Sequence, residues 1–173
     1  MQHNFSLSRA VEQARNWRNE EYKIVFTNGV FDLLHLGHIT YLNQAKSLGN
    51  KLIVGVNSDI SSRLLDKGPA RPIKDEISRA SILESLESVD LVVLFNEATP
   101  LKTILAVRPD ILVKGGDYDA DVMDEHNKKY IVGSKEVREQ GGDVRVIKFL
   151  QGYSTTAIEE KIIQAHSKDL EEN

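Results

Sequence analysis

Five short apolar runs, separated by stretches with helical spacing, constrain this chain more than any other feature. Lys23–Thr27, Leu52–Val56, Leu91–Phe95, Ile111–Val113 and Val144–Phe149 are rich in Ile, Val, Leu and Phe. They are short and commonly flanked by Gly, Asn, Asp or Pro, the pattern of buried strands. Between them, Ile39, Leu42 and Ala45 recur at three-residue spacing. Ile77, Ala80, Leu83 and Leu86 do the same, and Leu101, Ile104 and Leu105 form a shorter set. This β-α-β-α rhythm predicts an α/β fold in which a mostly parallel sheet carries helices on both faces.

The ends add two helices. Leu7, Ala10, Val11, Ala14 and Trp17 share one face of an N-terminal helix within residues 1–20. A last helix is expected from about Thr156, where Thr156 and Glu159 have the spacing of a capping box. Residues 117–130 read as an irregular polar loop, and the charged tail 167–173 as frayed. With no repeat or linker, the 173 residues read as a single domain whose core spans 22–163.

Composition removes several classes of function. The chain has no cysteine, which excludes a disulfide framework and a thiolate zinc site. Its net charge is -4, from 22 basic and 26 acidic residues, with no broad basic patch to meet nucleic acid. The first twenty residues are polar and charged, and no run approaches the roughly 18 apolar residues that would cross a bilayer. No membrane partner is expected, and the reading is a cytoplasmic protein.

Chemistry concentrates in Thr27-Asn28-Gly29-Val30-Phe31-Asp32-Leu33-Leu34-His35-Leu36-Gly37-His38. This segment leaves the first strand and opens a helix. Gly29 permits a tight turn, and Gly37 lets backbone approach a ligand closely. His35 and His38 can aim at one spot beside the helix N-terminus, where free N–H groups and the helix dipole favour an anion. On spacing alone the pair could also be structural hydrogen-bonders or two ligands of a metal, although no third ligand lies nearby. Neither common Gly-rich nucleotide fingerprint is present.

His35-x-Gly37-His38 resembles the HxGH motif of the cytidylyltransferase-like nucleotidyltransferases. Gly152-Tyr153-Ser154-Thr155-Thr156 resembles that superfamily's second motif, a turn that opens the last helix. The resemblance covers about residues 22–163. It implies a doubly wound, Rossmann-like sheet of five parallel strands in the order 3-2-1-4-5. That order sets the loops Thr27–His38, Lys114–Tyr118 and Phe149–Thr155 side by side at the carboxyl ends of the strands, where such folds bind ligands.

Within the superfamily, Asn28–Asp32, Val54–Asp59, Arg71-Pro72, Val113–Tyr118 and Gly133–Val137 are most similar to the D-glycero-β-D-manno-heptose 1-phosphate adenylyltransferases. These make ADP-heptose for lipopolysaccharide core synthesis. Glycerol-3-phosphate cytidylyltransferase is the nearest alternative, but an arginine typical of its last motif is missing from Phe149-Leu150-Gln151-Gly152-Tyr153. A non-catalytic nucleotide sensor is a further alternative. A class I aminoacyl-tRNA synthetase fits poorly, because the chain is short and lacks a Lys-Met-Ser-Lys-Ser segment.

The resemblance implies ATP and a sugar 1-phosphate as substrates, Mg²⁺ bound through phosphates with no protein ligand, a homodimer, and a separate sugar kinase in the same pathway. It implies His35, His38 and Thr27 as catalytic residues. Asn28, Gly29, Val30, Phe31, Gly37, Lys114, Gly115, Tyr153, Ser154 and Thr155 would bind the nucleotide. Asp32, Arg63, Lys67, Arg71 and Arg79 would face phosphate or form a lid over it. Ordinary surface charge is the alternative for Arg63, Lys67 and Arg71, and a salt bridge to Asp75 or Glu76 for Arg79. His3, His126 and His166 read as exposed, Trp17 as a packing anchor, and Asp119–Asp124 as a solvated loop.

Overall fold

The computed structural model describes residues 4–66, 68 and 70–171, with side chains through residue 165. His3, Lys67 and the side chain of His166 lie outside the described residues. Twelve elements follow in chain order: α1 (Leu7–Asn19), β1 (Ile24–Gly29), α2 (Leu36–Lys46), β2 (Lys51–Asn57), α3 (Asp59–Arg63), α4 (Glu76–Glu84), β3 (Leu91–Phe95), α5 (Leu101–Val107), β4 (Ile111–Gly115), α6 (Ser134–Glu139), β5 (Asp143–Ile147) and α7 (Thr155–Glu171). The strands form one sheet in the order β3-β2-β1-β4-β5. Every pairing is parallel, with Val25 beside Leu52 on one side and Ile111 on the other.

Side chains alternate across a strand, so each strand feeds both faces. Val25, Leu52, Val54, Val92, Ile111 and Val113 pack under Leu42 and Ala45 of α2 and Ala80 and Leu83 of α4. Ile24, Phe26, Ile53, Val93 and Leu112 pack on the other face under Ala10, Ala14 and Trp17 of α1, Ile104 of α5 and Val137 of α6. The near-continuous apolar runs of the sequence are therefore two interleaved half-runs, one per core.

Local chemistry sets the helix starts. The Ser6, Ser58 and Asp75 side chains accept N–H bonds from Arg9, Ser61 and Ser78 at 3.3, 3.1 and 2.9 Å. At α7 the cap is Ser154, whose Oγ accepts from Ala157 N–H at 3.1 Å. The capping box expected at Thr156 and Glu159 is not formed: Thr156 lies inside the first turn, and Glu159 pairs with Arg71. The helix also runs through Glu171, past residue 167 where its charge predicts fraying. Charged residues such as Lys and Glu are good helix formers, so charge alone does not stop a helix.

Other boundaries moved for identifiable reasons. β5 ends at Ile147, which leaves Phe149 56% exposed in the following loop. Ile77 and Leu105, placed by spacing on buried stripes, are 48% and 43% exposed. α3 and α6 carry only 5 and 6 residues, too short for a periodic signal. Among the described residues no helix is long and apolar enough to cross a membrane.

Candidate active site

The sheet order reverses direction between β1 and β4, and the loops leaving their carboxyl ends enclose a cavity of about 290 Å³. β1 and its loop contribute Asn28, Gly29, Val30, Phe31 and Asp32; α2 contributes His38 and Tyr41. Lys114, Gly115 and Tyr118 close the β4 side, and Phe149 and Thr155 the α7 side. Ser62, Arg71 and Pro72 form the opposite rim. The three polar clusters separated in sequence thus share one cavity.

His35 is the N-cap residue of α2, yet its side chain makes no capping hydrogen bond. That leaves the helix N-terminus without a side-chain partner of its own, a polarity suited to an anion. The two imidazoles lie against each other, centroids 3.9 Å apart, and the Nδ1 atoms of both are buried without a hydrogen-bond partner. Burial, and then the neighbouring His35, push His38 down to about 4; burial lowers His35 as well. Both rings are therefore neutral near pH 7, so each pairs one N–H donor with one acceptor nitrogen. Gly37 permits this packing, since a Cβ there would lie 3.0 Å from the His35 ring and 3.3 Å from Tyr153 Cβ.

Not every expected residue faces the cavity. Thr27 is fully buried and its Oγ lies 2.5 Å from the Tyr41 hydroxyl, so it braces α2 from beneath and is not part of the cavity lining. Strand alternation is the reason: Thr27 points to the α2 face among the core residues, whereas Asn28 points to the other. Arg79 is 1% exposed and all its directions are used: Nε to the Lys74 carbonyl at 3.0 Å, Nη1 to the Val30 carbonyl at 2.7 Å and Nη2 to Asp59 at 2.8 Å. It is a strut beneath the β1 loop, and its ion pair is with Asp59, neither Asp75 nor Glu76. Asp32 accepts the N–H groups of Ile73 and Lys74 at 2.8 and 2.9 Å, pinning the end of the 64–74 loop. Arg71 reaches the rim but is ion-paired with Glu159 of α7. Arg63 is exposed at the end of α3, away from the lining. Tyr153 packs on Gly37, and Ser154 is engaged as the α7 cap.

Sequence reasoning missed Tyr41, and it placed Phe149 in a loop beside the site without giving it a role. Tyr41 lies three residues after His38 on the same helix face, and that spacing was the available signal. Burial raises its phenol, which stays protonated at neutral pH. Its ring meets Phe149 edge-on, centroids 5.9 Å apart. Phe149 can lie on the end of β4 only because residue 115 is glycine, where a Cβ would stand 2.4 Å from its ring. As for the remaining histidine, His126 is exposed in the 117–130 loop, and Trp17 is buried in the α1 core.

Residues 26–161 match the model of the cytidylyltransferase-like family. The chain belongs to that family. Among its relatives, the bifunctional protein HldE of Wolinella succinogenes is 51% identical over 149 residues, 86% of this chain and 29% of the relative. The bifunctional protein HldE of Koribacter versatilis is 47% identical over 154 residues, 89% of this chain and 30% of the relative. The chain thus spans under a third of the length of these curated relatives. A crystal structure of a lipopolysaccharide core biosynthesis protein from Thermoplasma volcanium is 33% identical, with a TM-score of 0.57, covering 77% of this chain and 99% of that one. Pantoate-beta-alanine ligase from Francisella tularensis, at 18% identity and a TM-score of 0.52 over 86% of this chain and 73% of its own, shares the fold.

Proposed function

We propose that this member of the family transfers AMP from ATP to D-glycero-β-D-manno-heptose 1-phosphate and releases pyrophosphate. The observation that carries the reading is neutral His38, packed on His35 at the uncapped N-terminus of α2 and facing Thr155 and Lys114 across one cavity. The likeness to HldE and to a lipopolysaccharide core biosynthesis protein supports the heptose as acceptor. The ATP substrate places the reaction in the cytoplasm, and a homodimer belongs to the same proposal.

In the proposed reaction an oxygen of the acceptor phosphate attacks the α-phosphorus while the bond from that phosphorus to the bridging oxygen breaks. The electron pair leaves on pyrophosphate, and no proton has to be removed to create the nucleophile. Positioning and charge stabilisation therefore carry the rate. His38 donates from its exposed edge to the transferring phosphate, with His35 packed behind it. The α2 N-terminus faces the same anion, and Thr155 meets the leaving pyrophosphate. Magnesium would neutralise triphosphate charge. Among the described residues no cluster of three or more His, Asp or Glu could hold a metal ion, and Asp32, which lines the cavity, already accepts two backbone N–H groups. This donor set fits an ion that arrives on the phosphates and keeps its waters.

The test is pyrophosphate release with magnesium, comparing ATP and CTP against heptose 1-phosphate and glycerol 3-phosphate. Turnover confined to ATP with the heptose is the expected result. Turnover with CTP and glycerol 3-phosphate would transfer the reading to a cytidylyltransferase, and nucleotide binding with no release would favour a sensor.

A further inference from the structure

Phe31 adopts a backbone conformation that its side chain disfavours. Its φ is +52°, in the left-handed region where an aromatic residue is rarely found. Glu21, Asp66 and Arg108, the other non-glycine residues with positive φ among those described, are exposed, whereas Phe31 is 7% exposed. Hydrogen bonds hold the turn on both sides of it. The Val30 carbonyl accepts from Arg79 Nη1 at 2.7 Å, and the Asp32 carboxylate accepts from the N–H groups of Ile73 and Lys74. A strained residue persists only where its surroundings over-determine it, and such strain collects at functional sites.

The ring placed by this turn meets His38. The two ring centroids are 5.6 Å apart at 60°, an edge contact, while His35 lies on His38 at 3.9 Å and 32°. Gly29 leaves room for the arrangement, since a Cβ there would come within 3.0 Å of the Phe31 ring. A functional imidazole commonly takes its orientation and tautomer from a hydrogen bond at its second ring nitrogen. His38 has none, because its Nδ1 is buried and unpartnered. Only Nε2 can reach a ligand, and no hydrogen bond at Nδ1 sets the plane of the ring.

We propose that Phe31 is a positioning residue whose ring, clamping His38 against His35, fixes the imidazole with its proton on Nε2 and aimed at the transferring phosphate. The proposal deepens the nucleotidyl-transfer reading above and rests on it. Nδ1 is then a bare acceptor, and folded proteins tolerate an under-satisfied buried acceptor more often than an orphaned N–H. Phe31 has no polar side-chain atom to compete for the imidazole proton, so Nε2–H stays free for the ligand. Packing does here what a carboxylate or a backbone carbonyl does at other histidines.

The experiment compares Phe31→Leu, which removes the ring but keeps an apolar side chain, with Phe31→Tyr, which keeps the ring. Phe31→Met, flexible enough to fill the space, takes the place of Phe31→Leu if that variant does not fold. Two-dimensional nitrogen–proton NMR of the imidazoles in the ligand-free protein reads the tautomer, with the His38 signals identified by their loss in His38→Gln. Wild type and Phe31→Tyr are expected to hold one tautomer, protonated on Nε2, and Phe31→Leu to exchange between two. In pyrophosphate release Phe31→Leu should lower kcat about 10- to 100-fold, the scale of a misaligned catalytic group. Its KM for ATP, and the kcat of Phe31→Tyr, should stay within about threefold of wild type, which separates lost alignment from lost binding. A single Nε2–H tautomer in Phe31→Leu, or a proton on Nδ1 in the wild type, overturns the proposal whatever the kinetics. A kcat loss in Phe31→Tyr equal to that in Phe31→Leu overturns it too. Wild-type protein that releases no pyrophosphate overturns the functional reading instead, and the spectra still decide whether Phe31 sets the His38 ring.

Discussion

Two helix N-termini face the cavity at the ends of β1 and β4, and they are built differently. At α2 the N-cap residue His35 makes no side-chain cap bond, and the buried Nδ1 atoms of His35 and His38 have no partner. At α7 the cap is made by Ser154, and the helix is anchored to the rim by the ion pair of Glu159 with Arg71. Farther along α7, Ile162 and Ile163 are 52% and 62% exposed. Unsatisfied groups in one terminus and satisfied groups in the other mark a difference in task. The first is poised for a ligand at some cost to stability, whereas the second is a self-sufficient element that brings Thr155 to the edge of the cavity.

Substitution at the α2 terminus should cost activity far more than stability. His38→Ala is expected to lower kcat by about 10²- to 10³-fold, the scale for removal of one preorganised donor, with little change in melting temperature. A loss of folding with no separable kinetic effect would place His38 in the structural class and break the contrast. Ser154→Ala should do the reverse. Loss of the cap is worth about 1 kcal/mol of helix stability, read by thermal melting, and kcat should change only a few-fold. A kcat loss as large as that of His38→Ala would show that both termini act on the phosphates directly.

The smallest effect comes from pH. His38 is held at about 4 by burial and by His35, and in the unfolded chain its value returns to 6.5. Between those values the unfolded state binds more proton, so stability falls as pH drops from 6.5 towards 4. Because the ring is partly exposed, the loss is on the order of 1 kcal/mol. It should disappear in His38→Ala, and chemical denaturation at pH 7 and pH 5 measures it.

The sequence spoke clearly where one residue type meets one local requirement. The five strands, the HxGH segment and the turn before α7 were legible because apolar alternation, histidine spacing and turn chemistry are local signals. Tyr41, and the contact it makes with Phe149, were not. Tyr41 and Phe149 meet only when α2 and the loop after β5 are brought together. The arginines illustrate the same limit. Arg71 and Arg79 both lie between the second and third strands, yet one reaches the rim and the other is entirely enclosed.

The chain's own pattern determined its class of fold, its five strands and the two motifs that share one end of the sheet. Hydrophobic periodicity and backbone chemistry act within a few residues, so they can be read along the chain. Only the tertiary structure decided which polar side chains line a cavity and which brace it. Thr27 and Arg79 carry phosphate-binding chemistry in isolation, but each is already bonded to neighbours distant in sequence, Thr27 to Tyr41 and Arg79 to Asp59 and Val30; Asp32 lines the cavity while accepting from the backbone of Ile73 and Lys74. A buried polar group has to satisfy its hydrogen bonds where the fold places it, and that partner cannot be read from local spacing.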